Sequence, residues 1–326
     1  MTTRFLTWTA SLAVSTASFL ACSASDDGPG GTDSVADGGT DSNNDSTGDL
    51  SVGDSDGDLS VDGGDSTGTG GGGTDESCDS KLEVTFRDFK GASEAGGHPD
   101  FERPGFYGLN DVGCQMVGTT LTGSKPTFAS SVGLQKRTFT GSGSYQSFTG
   151  CADWNGWTPE AEIISADSFS SWYVTTEGVN QEIASSLQLE EEVAGTGTYV
   201  FDSAKTGGFF PIDGQGFGNT PGQSHNFSFT TEAHAKFGYV AGQKFTFTGD
   251  DDLWIFINNK LALDLGGLHS AFQATIDFDA QASDLGIAPG NTYQMDIFHA
   301  ERHTNDSNFR VETNIKCFVP VPDVPR

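Results

Sequence analysis

The sequence predicts an all-β protein: an antiparallel β-sandwich with jelly-roll or Greek-key wiring and a few short helices, placed after a disordered acidic linker. Beyond residue 80, short runs alternate apolar and polar residues, as strands with one buried face do. Gly, Asn and Asp separate these runs and are typical of tight turns. The chain also contains 25 Phe, enough to fill a thick core between two sheets. These observations favour two packed sheets over a helical fold.

Individual strands and helices can be placed along the folded part of the chain. Residues 309–315 put Phe, Val, Thr and Ile on one face and Arg, Glu and Asn on the other. The runs 82–86 and 245–247 alternate in the same way. Helices are expected only at residues 165–173 and 181–189. The helical content should therefore be small.

Composition divides the chain into four segments. Residues 1–21 are typical of an export signal, because a positive start precedes an apolar stretch that is too short and too polar to span a bilayer. Residues 22–77 are rich in Gly, Asp and Ser and cannot bury enough apolar surface to offset their ordering entropy, which predicts a disordered linker. One β-domain is expected at 78–318, followed by a Pro-rich tail at 319–326.

The end of the export signal resembles a lipobox, the signal after which a cysteine becomes lipid-modified. Its residues are Phe19, Leu20, Ala21 and Cys22. The resemblance implies that Cys22 carries a lipid, which would anchor the protein to the outer membrane or cell surface and give it no other membrane contact. The alternative is ordinary cleavage, with Cys22 playing no part.

The charge balance limits the kinds of partner. The chain has a formal net charge of −29 at pH 7. A surface this acidic repels nucleic acid and anionic lipid, so we expect no nucleic-acid partner. It suits a cation or a neutral partner such as a glycan. The alternative explanation of the charge is solubility alone.

The cysteine count indicates disulfides. With Cys22 assigned to lipid, Cys78, Cys114, Cys151 and Cys317 remain, an even number in an exported chain. Their spacing does not match a metal site. Three pairings are possible, and we favour Cys78–Cys317 with Cys114–Cys151, because the two ends of a sandwich domain often lie close together.

An acidic turn carries the strongest functional signal. Asp250, Asp251 and Asp252 follow one predicted strand and precede a very apolar one, which ends at the hairpin turn Asn258-Asn259. Three adjacent carboxylates repel one another, and a cation would relieve that repulsion. Calcium prefers such oxygen ligands. The alternative is a solvated acidic turn.

This stretch resembles the core of the protective-antigen-type β-sandwich domain, which is found in bacterial toxins, glycosidase inserts and yeast adhesins. In the adhesins, two aspartates joined by a cis peptide chelate a calcium ion that holds sugar hydroxyls. Carried over by position, Asp250 and Asp251 become calcium ligands. A second loop completes the adhesin site, and here Asn305 and Asp306 could add oxygens.

Two further positions follow from the same resemblance. Gly249 stands where the family has Ser, and Asp252 stands where the adhesins have Gly. We therefore expect Asp252 either to join the metal or to point to solvent and alter what can approach the site. His269 follows in register, so we assign it to ligand binding together with Asp252, although a local turn contact is the alternative for His269.

A narrower resemblance extends over residues 82–316. It is carried by residues 98–102, 209–219, 225–234, 249–267 and 296–309. These runs are similar to the fibro-slime domain, a subfamily of the same sandwich that is seen in adhesive surface proteins of bacteria and in slime-mould proteins. With the lipobox, this resemblance implies an adhesive protein on a bacterial lipoprotein.

The predicted function is calcium-dependent carbohydrate binding by an adhesin-like surface protein, without enzymatic activity. Trp154 and Trp157 are candidates to stack on sugars, or they belong to the core. The first alternative is a structural extracellular-matrix module that binds protein partners, with calcium only stabilising loops. A less favoured alternative is a polysaccharide hydrolase that uses Asp250 and Glu301 as its two carboxylates.

Overall fold

A computed structural model describes residues 79–108, 112–133, 135–141, 145–154, 156 and 160–322. The predicted export signal and acidic linker lie outside these residues, as do Cys22, Cys78 and Trp157.

Fifteen strands and two short α-helices make up the described part of the chain, together with a 3-10 turn at Ser203–Thr206. The strands are β1 (Lys81–Phe89), β2 (Val112–Cys114), β3 (Gln135–Thr140), β4 (Gln146–Asp153), β5 (Asn180–Gln188), β6 (Glu190–Glu191), β7 (Tyr199–Asp202), β8 (Phe229–Gly238), β9 (Lys244–Gly249), β10 (Asp252–Ile257), β11 (Lys260–Leu265), β12 (Phe272–Asp277), β13 (Thr292–Glu301), β14 (Phe309–Thr313) and β15 (Val319–Pro320). The helices are α1 (Ala166–Phe169) and α2 (Phe278–Leu285).

The strands form two sheets, which confirms the predicted all-β sandwich. The first sheet has the order β11-β10-β13-β8-β1-β5, and β15 also pairs with β8. The second has the order β2-β3-β4-β12-β9-β14-β7-β6. The described strand pairs are antiparallel except β4 with β12, which is parallel over two residue pairs. The second sheet is therefore mixed and not purely antiparallel.

Strand β10 is buried on both faces. Leu253, Ile255 and Ile257 point into the core between the sheets. Trp254 and Phe256 point the other way, into a second apolar cluster that covers the outer face of the first sheet and includes Phe101, Met116, Ile163, Phe169 and Trp172. Burial on both faces explains why β10 is a continuous apolar run instead of an alternating one.

The helix predictions were partly wrong. The expected helix at 165–173 is confirmed in its first half, because Ser165 caps α1 by accepting a hydrogen bond from the backbone N–H of Ser168. The expected helix at 181–189 is instead strand β5, paired with β1 along its whole length. Pairing with a neighbouring strand overrides weak local helical propensity. Helix α2, capped by Asp277, was not predicted.

Among the described residues, no helix is long and apolar enough to cross a membrane.

The hairpin after β10 has the predicted turn. Asn258 and Asn259 adopt φ angles of 52° and 65°, as a type I′ turn requires. Before β10, the chain crosses from β9 in the second sheet to β10 in the first, so the acidic turn lies at one end of the sandwich. This crossing places the aspartates beside the loop that leads from β13 to β14.

A disulfide joins Cys114 and Cys151, one of the two pairs favoured from the sequence. Cys317 is also disulfide-bonded. Its predicted partner Cys78 lies outside the described residues, but the next residue, Asp79, forms a β-bridge with Phe318. The two ends of the domain therefore lie side by side, as the favoured pairing requires.

Candidate functional site

The acidic turn is buried and not solvated. Asp250 and Asp251 are each 6% exposed, and Asp252 is fully buried. Asp251 has a φ of 55°, in the left-handed region. No cis peptide bond occurs among the described residues, so the cis bond implied for Asp250 and Asp251 is absent here. Burial of three carboxylates requires specific partners for each.

Asp250 binds the loop between β13 and β14. Its Oδ1 accepts a hydrogen bond from the backbone N–H of Asn308 at 2.6 Å, and its Oδ2 accepts one from Asn308 Nδ2 at 2.7 Å. Gly249 lies so close to the Asn308 carbonyl oxygen that a side chain at position 249 would clash with it. This close approach explains the glycine at position 249. Burial raises the pKa of Asp250 to about 6.

Asp251 binds the same loop at its start. Its Oδ2 accepts a hydrogen bond from the backbone N–H of Arg302 at 2.7 Å. Burial raises the pKa of Asp251 well above its usual range, and the neighbouring carboxylate of Asp250 adds to this, although the positive charge of Arg302 opposes it. The neutral form of this carboxyl group is therefore favoured more than in water.

Asp252 is fully buried and hydrogen-bonded within the domain, and it does not point to solvent, which corrects its assignment to ligand binding. Its Oδ1 accepts a hydrogen bond from the backbone N–H of Gly267 at 2.6 Å, and its Oδ2 accepts one from Arg302 Nε at 2.5 Å. The register of β10 turns this side chain away from the cleft and toward the second apolar cluster. Asp252 therefore holds Gly267 and Arg302 in place beside the acidic turn.

Arg302 is the central residue that the sequence reasoning missed. Its side chain is 1% exposed, and its Nη1 donates hydrogen bonds to the carbonyl oxygens of Asp100 at 3.2 Å and Glu162 at 2.9 Å. It therefore joins the acidic turn to two distant loops. In the sequence, Arg302 is simply a residue that follows a predicted strand, and this position does not indicate which residues the side chain contacts.

Glu301, which the sequence suggested only as a carboxylate of the hydrolase alternative, also lies in this group of acidic residues. It is fully buried, and its Oε2 has no hydrogen-bond partner. Burial raises its pKa well above the usual range, and the charges of Asp251 and Asp250 add to this. A buried carboxylate oxygen without a partner is costly. The carboxyl groups of Asp250 and Asp251 thus lie near enough to Glu301 to raise its pKa.

A cleft of about 510 Å³ opens beside the acidic turn. We call it the acidic cleft. It brings together five of the residues predicted from the sequence: Asp250, Asp251, His269, Asn305 and Asp306. The remaining lining residues are Tyr107, Tyr145, Leu268, Ser270, Ala271, His303, Thr304 and Asn308.

The aromatic residues of the acidic cleft differ from those predicted. Tyr107 is 74% exposed and Tyr145 41%. The predicted Trp154 does not line this cleft, and Trp157 lies outside the described residues. The two tyrosines come from loops that are distant in sequence from the acidic turn, so sequence proximity could not identify them.

His269 is held by its own turn. Its ring nitrogens lie 3.1 Å from the carbonyl oxygen of Leu265 and 2.8 Å from that of Ser270. Burial lowers the pKa of His269 to about 3, and the charge of Arg137 adds to this. The imidazole is therefore neutral at pH 7. Its contacts match the local turn role that the sequence left open, while its position also lines the acidic cleft.

The chemistry of the acidic cleft fits a hard cation. Its lining residues carry carboxylate, amide and hydroxyl oxygens, which are the donor types that calcium prefers. Glu301, whose Oε2 has no hydrogen-bond partner, lies near enough to Asp250 and Asp251 for their charges to raise its pKa. Elsewhere in the described residues, Cys114, Cys151 and Asp264 lie close enough together to hold a metal, but the two sulfurs are bonded to each other.

Comparison with known proteins places the chain near a set of slime-mould proteins. It is 38% identical to protein psiR of Dictyostelium discoideum over 176 residues, 35% identical to psiC over 228 residues, and 40% identical to psiD over 160 residues. These alignments cover 50%, 67% and 47% of this chain. They cover only 17%, 38% and 30% of the relatives, so the chain spans well under two thirds of their length.

No protein-family model matches the chain. The predicted identification as a fibro-slime domain on a bacterial lipoprotein is therefore wrong, because it has no matching model and the similar proteins are those of a eukaryote. The sequence runs that resemble the fibro-slime domain therefore establish neither that domain nor a bacterial setting.

Solved structures show only weak likeness. A PA14 domain of the MpAFP antifreeze protein has a TM-score of 0.21 at 15% identity and covers 27% of this chain and 43% of that chain. A PA14 sugar-binding domain from an RTX adhesin has a TM-score of 0.20 at 14% identity and covers 27% of this chain and 47% of that chain. Scores this low support no conclusion about the chain.

Proposed function

We propose that the domain is a carbohydrate-binding module of an exported, adhesin-like protein, and that its acidic cleft binds sugar with the help of calcium. The observation that carries the proposal is the pair of buried carboxylates, Asp250 and Asp251, at the wall of a polar cleft. Their raised pKa values mark a place where positive charge stabilises the fold.

The carboxylates of Asp250 and Asp251 would hold the calcium ion, with Asn305 and Asp306 as candidates to complete the set. Each oxygen of Asp250 already accepts one hydrogen bond from Asn308, but a carboxylate oxygen has a second lone pair. These hydrogen bonds orient the carboxylate before any ligand arrives. A bound calcium ion would supply positive charge and open coordination positions for sugar hydroxyl oxygens.

The rest of the acidic cleft suits a neutral, hydroxyl-rich ligand. None of its described lining residues is Lys or Arg, so no side chain there would pair with an anionic ligand. Tyr107 and Tyr145 present exposed rings on which a sugar face can stack. Asn305 and Thr304 offer amide and hydroxyl groups for hydrogen bonds.

The disulfide chemistry supports the proposed export. Cys114 and Cys151 are bonded, and Cys317 is bonded as well. Structural disulfides persist in oxidising compartments and are rare in the cytosol. An exported binding module would meet extracellular glycans directly.

A glycan array probed with the full chain tests the proposal. In calcium we expect binding to one class of neutral glycan, lost when chelator removes the ion. The Asp250→Asn/Asp251→Asn double variant should lose the same signal. The matched control is Asp167→Asn/Asp284→Asn, which changes two exposed aspartates elsewhere and should bind like the parent.

The outcomes separate the proposal from its alternatives. Glycan binding that persists in chelator would contradict the calcium role. Absence of binding to every glycan, with calcium still raising the unfolding temperature, would favour a structural module for protein partners. Release of reducing sugar from polysaccharide, abolished by Asp250→Asn, would identify a hydrolase instead.

A further inference from the structure

Two more clefts lie next to the acidic cleft. A second cleft of about 480 Å³ shares Asn305, Asp306 and Asn308 with the acidic cleft. A third, of about 320 Å³, shares Gly208, Phe210 and His225 with the second. Because each cleft has lining residues in common with the next, the three lie side by side. We call them together the extended groove.

The loop after β13 separates the first two clefts. Asn308 is fixed by the two hydrogen bonds from its backbone and side chain to Asp250. Ser307 is fixed on the other side, because its Oγ donates to the carbonyl oxygen of Phe209 at 2.8 Å. The same loop thus forms one wall of each cleft, and both walls are held by buried contacts.

A flat pair of rings lies in the second and third clefts. Phe210 and His225 stack with ring centroids 3.8 Å apart and an interplanar angle of 8°. The His225 side chain is 39% exposed, and its Nδ1 lies 2.6 Å from Asp213 Oδ2. Asp213 is fixed in turn, because its Oδ1 accepts a hydrogen bond from the backbone N–H of Asn226 at 2.8 Å. The rings are therefore oriented in advance.

The charge of the extended groove limits its ligand. The described lining residues of all three clefts include no Lys or Arg. They include Asp213, Asp250, Asp251 and Asp306. An anionic polymer would be repelled. Amide and carboxylate groups along the groove, beside fixed rings, suit a chain of neutral sugars.

We propose that the extended groove binds an internal stretch of a neutral polysaccharide, with one unit at the acidic cleft and a later unit over the Phe210–His225 ring pair. This inference rests on the proposed carbohydrate binding and adds to it that the ligand is a chain and not a single terminal sugar. Each further unit that contacts the groove should add affinity.

The test is calorimetric titration of the full chain, in calcium, with gluco-, manno- and galacto-oligosaccharides from monosaccharide to hexasaccharide. For the class that binds, we expect affinity to rise with chain length. His225→Ala should weaken the longest oligosaccharide about tenfold, the contribution of one stacking contact, and leave the monosaccharide unchanged. His225→Phe keeps a ring and should retain the parent's length dependence. Unfolding temperatures of both variants report whether they fold.

The contrary outcomes are distinct. Binding that does not change with chain length, or that His225→Ala leaves intact for every length, would overturn the extended groove but not the proposed function. Failure of every oligosaccharide to bind would overturn both. Tight binding of oligolysine that no saccharide displaces would identify the groove as a site for basic peptides and also overturn the inference.

Discussion

Asp252 and Arg302 form a buried ion pair, in which Asp252 Oδ2 accepts a hydrogen bond from Arg302 Nε at 2.5 Å. Their side chains are 0% and 1% exposed, and they are 50 positions apart in the sequence. The pair joins the start of β10 to the end of β13. It therefore fixes the spacing between the acidic turn and the loop that forms the other wall of the cleft.

Removal of Arg302 should destabilise the domain strongly. Arg302→Leu leaves the Asp252 carboxylate buried without its partner, which costs about 3–5 kcal/mol of the free energy of unfolding. The matched control is Arg310→Leu, because Arg310 is 22% exposed and its ion pairs with Asp202 and Glu312 lie near the surface. That change should cost less than about 1 kcal/mol. Chemical denaturation measures both, and equal losses would show that the buried pair has no special role.

The calcium-free domain should lose stability as the pH rises through the weakly acidic range. The pKa of Asp250 is 3.8 when unperturbed and about 6 when folded, so its protonated form is favoured in the folded state. Its contribution is fully present below about pH 4 and is lost as the pH rises through about 6. Asp251 and Glu301 shift in the same direction.

Asp250→Asn isolates this effect, because other buried carboxyl groups, such as Asp88 and Glu162, also have raised pKa values. In chelator, the stability of the parent relative to this variant should fall between about pH 4 and about pH 6. Calcium, which favours the ionised carboxyl group, should reduce this fall. If the stabilities of parent and variant changed with pH in parallel, the pKa of Asp250 would not be raised in the folded protein.

Glu301 should lower the stability of the calcium-free domain and raise its affinity for calcium. Glu301→Gln removes a buried carboxylate whose Oε2 has no hydrogen-bond partner. In chelator near neutral pH, the variant should therefore be more stable than the parent. Its calcium affinity should fall about tenfold, because Gln cannot lose a proton and so cannot supply negative charge beside Asp250 and Asp251 when calcium binds. A variant that is less stable and binds calcium normally would contradict this account.

Two buried histidines should carry different charges at pH 7. Burial alone would lower the pKa of His234, but its hydrogen bonds to Asp296 and Glu232, each within 2.7 Å, raise it to about 9. Burial lowers the pKa of His299 to about 3. NMR titration of the imidazole signals should find His234 protonated and His299 neutral.

The stabilising effect of His234 follows from the direction of its shift. Because its folded pKa is above the unperturbed 6.5, its contribution is complete below about pH 6.5 and is lost as the pH rises through about 9. His234→Gln should remove this alkaline loss relative to the parent. A titration near the unperturbed value would show that the His234–Asp296–Glu232 contacts do not form in solution.

The local features of the fold were predictable from the sequence, and the long-range ones were not. The Asn258-Asn259 turn and the strand character of β10 depend on adjacent residues, so the pattern identified them. The prediction of a helix at 181–189 is wrong because the strand partner of β5, β1, lies almost one hundred positions away, and local sequence does not show this pairing.

In the site, too, the features that depend on adjacent residues were predictable and the long-range contacts were not. The acidic turn was found because its three aspartates are contiguous, and the loop with Asn305 was found by resemblance. The burial of Asp252 and the role of Arg302 depend on loops at Asp100 and Glu162, which meet only in the folded chain.

Calorimetric titration of calcium into the chelator-stripped full chain tests the central claim most directly. The parent should bind about one calcium ion at the acidic cleft, the Asp250→Asn/Asp251→Asn variant should bind none there, and the Asp167→Asn/Asp284→Asn control should match the parent. Absence of binding in the parent, or equal binding in the parent and the Asp250/Asp251 variant, would contradict the calcium site and the carbohydrate mechanism built on it.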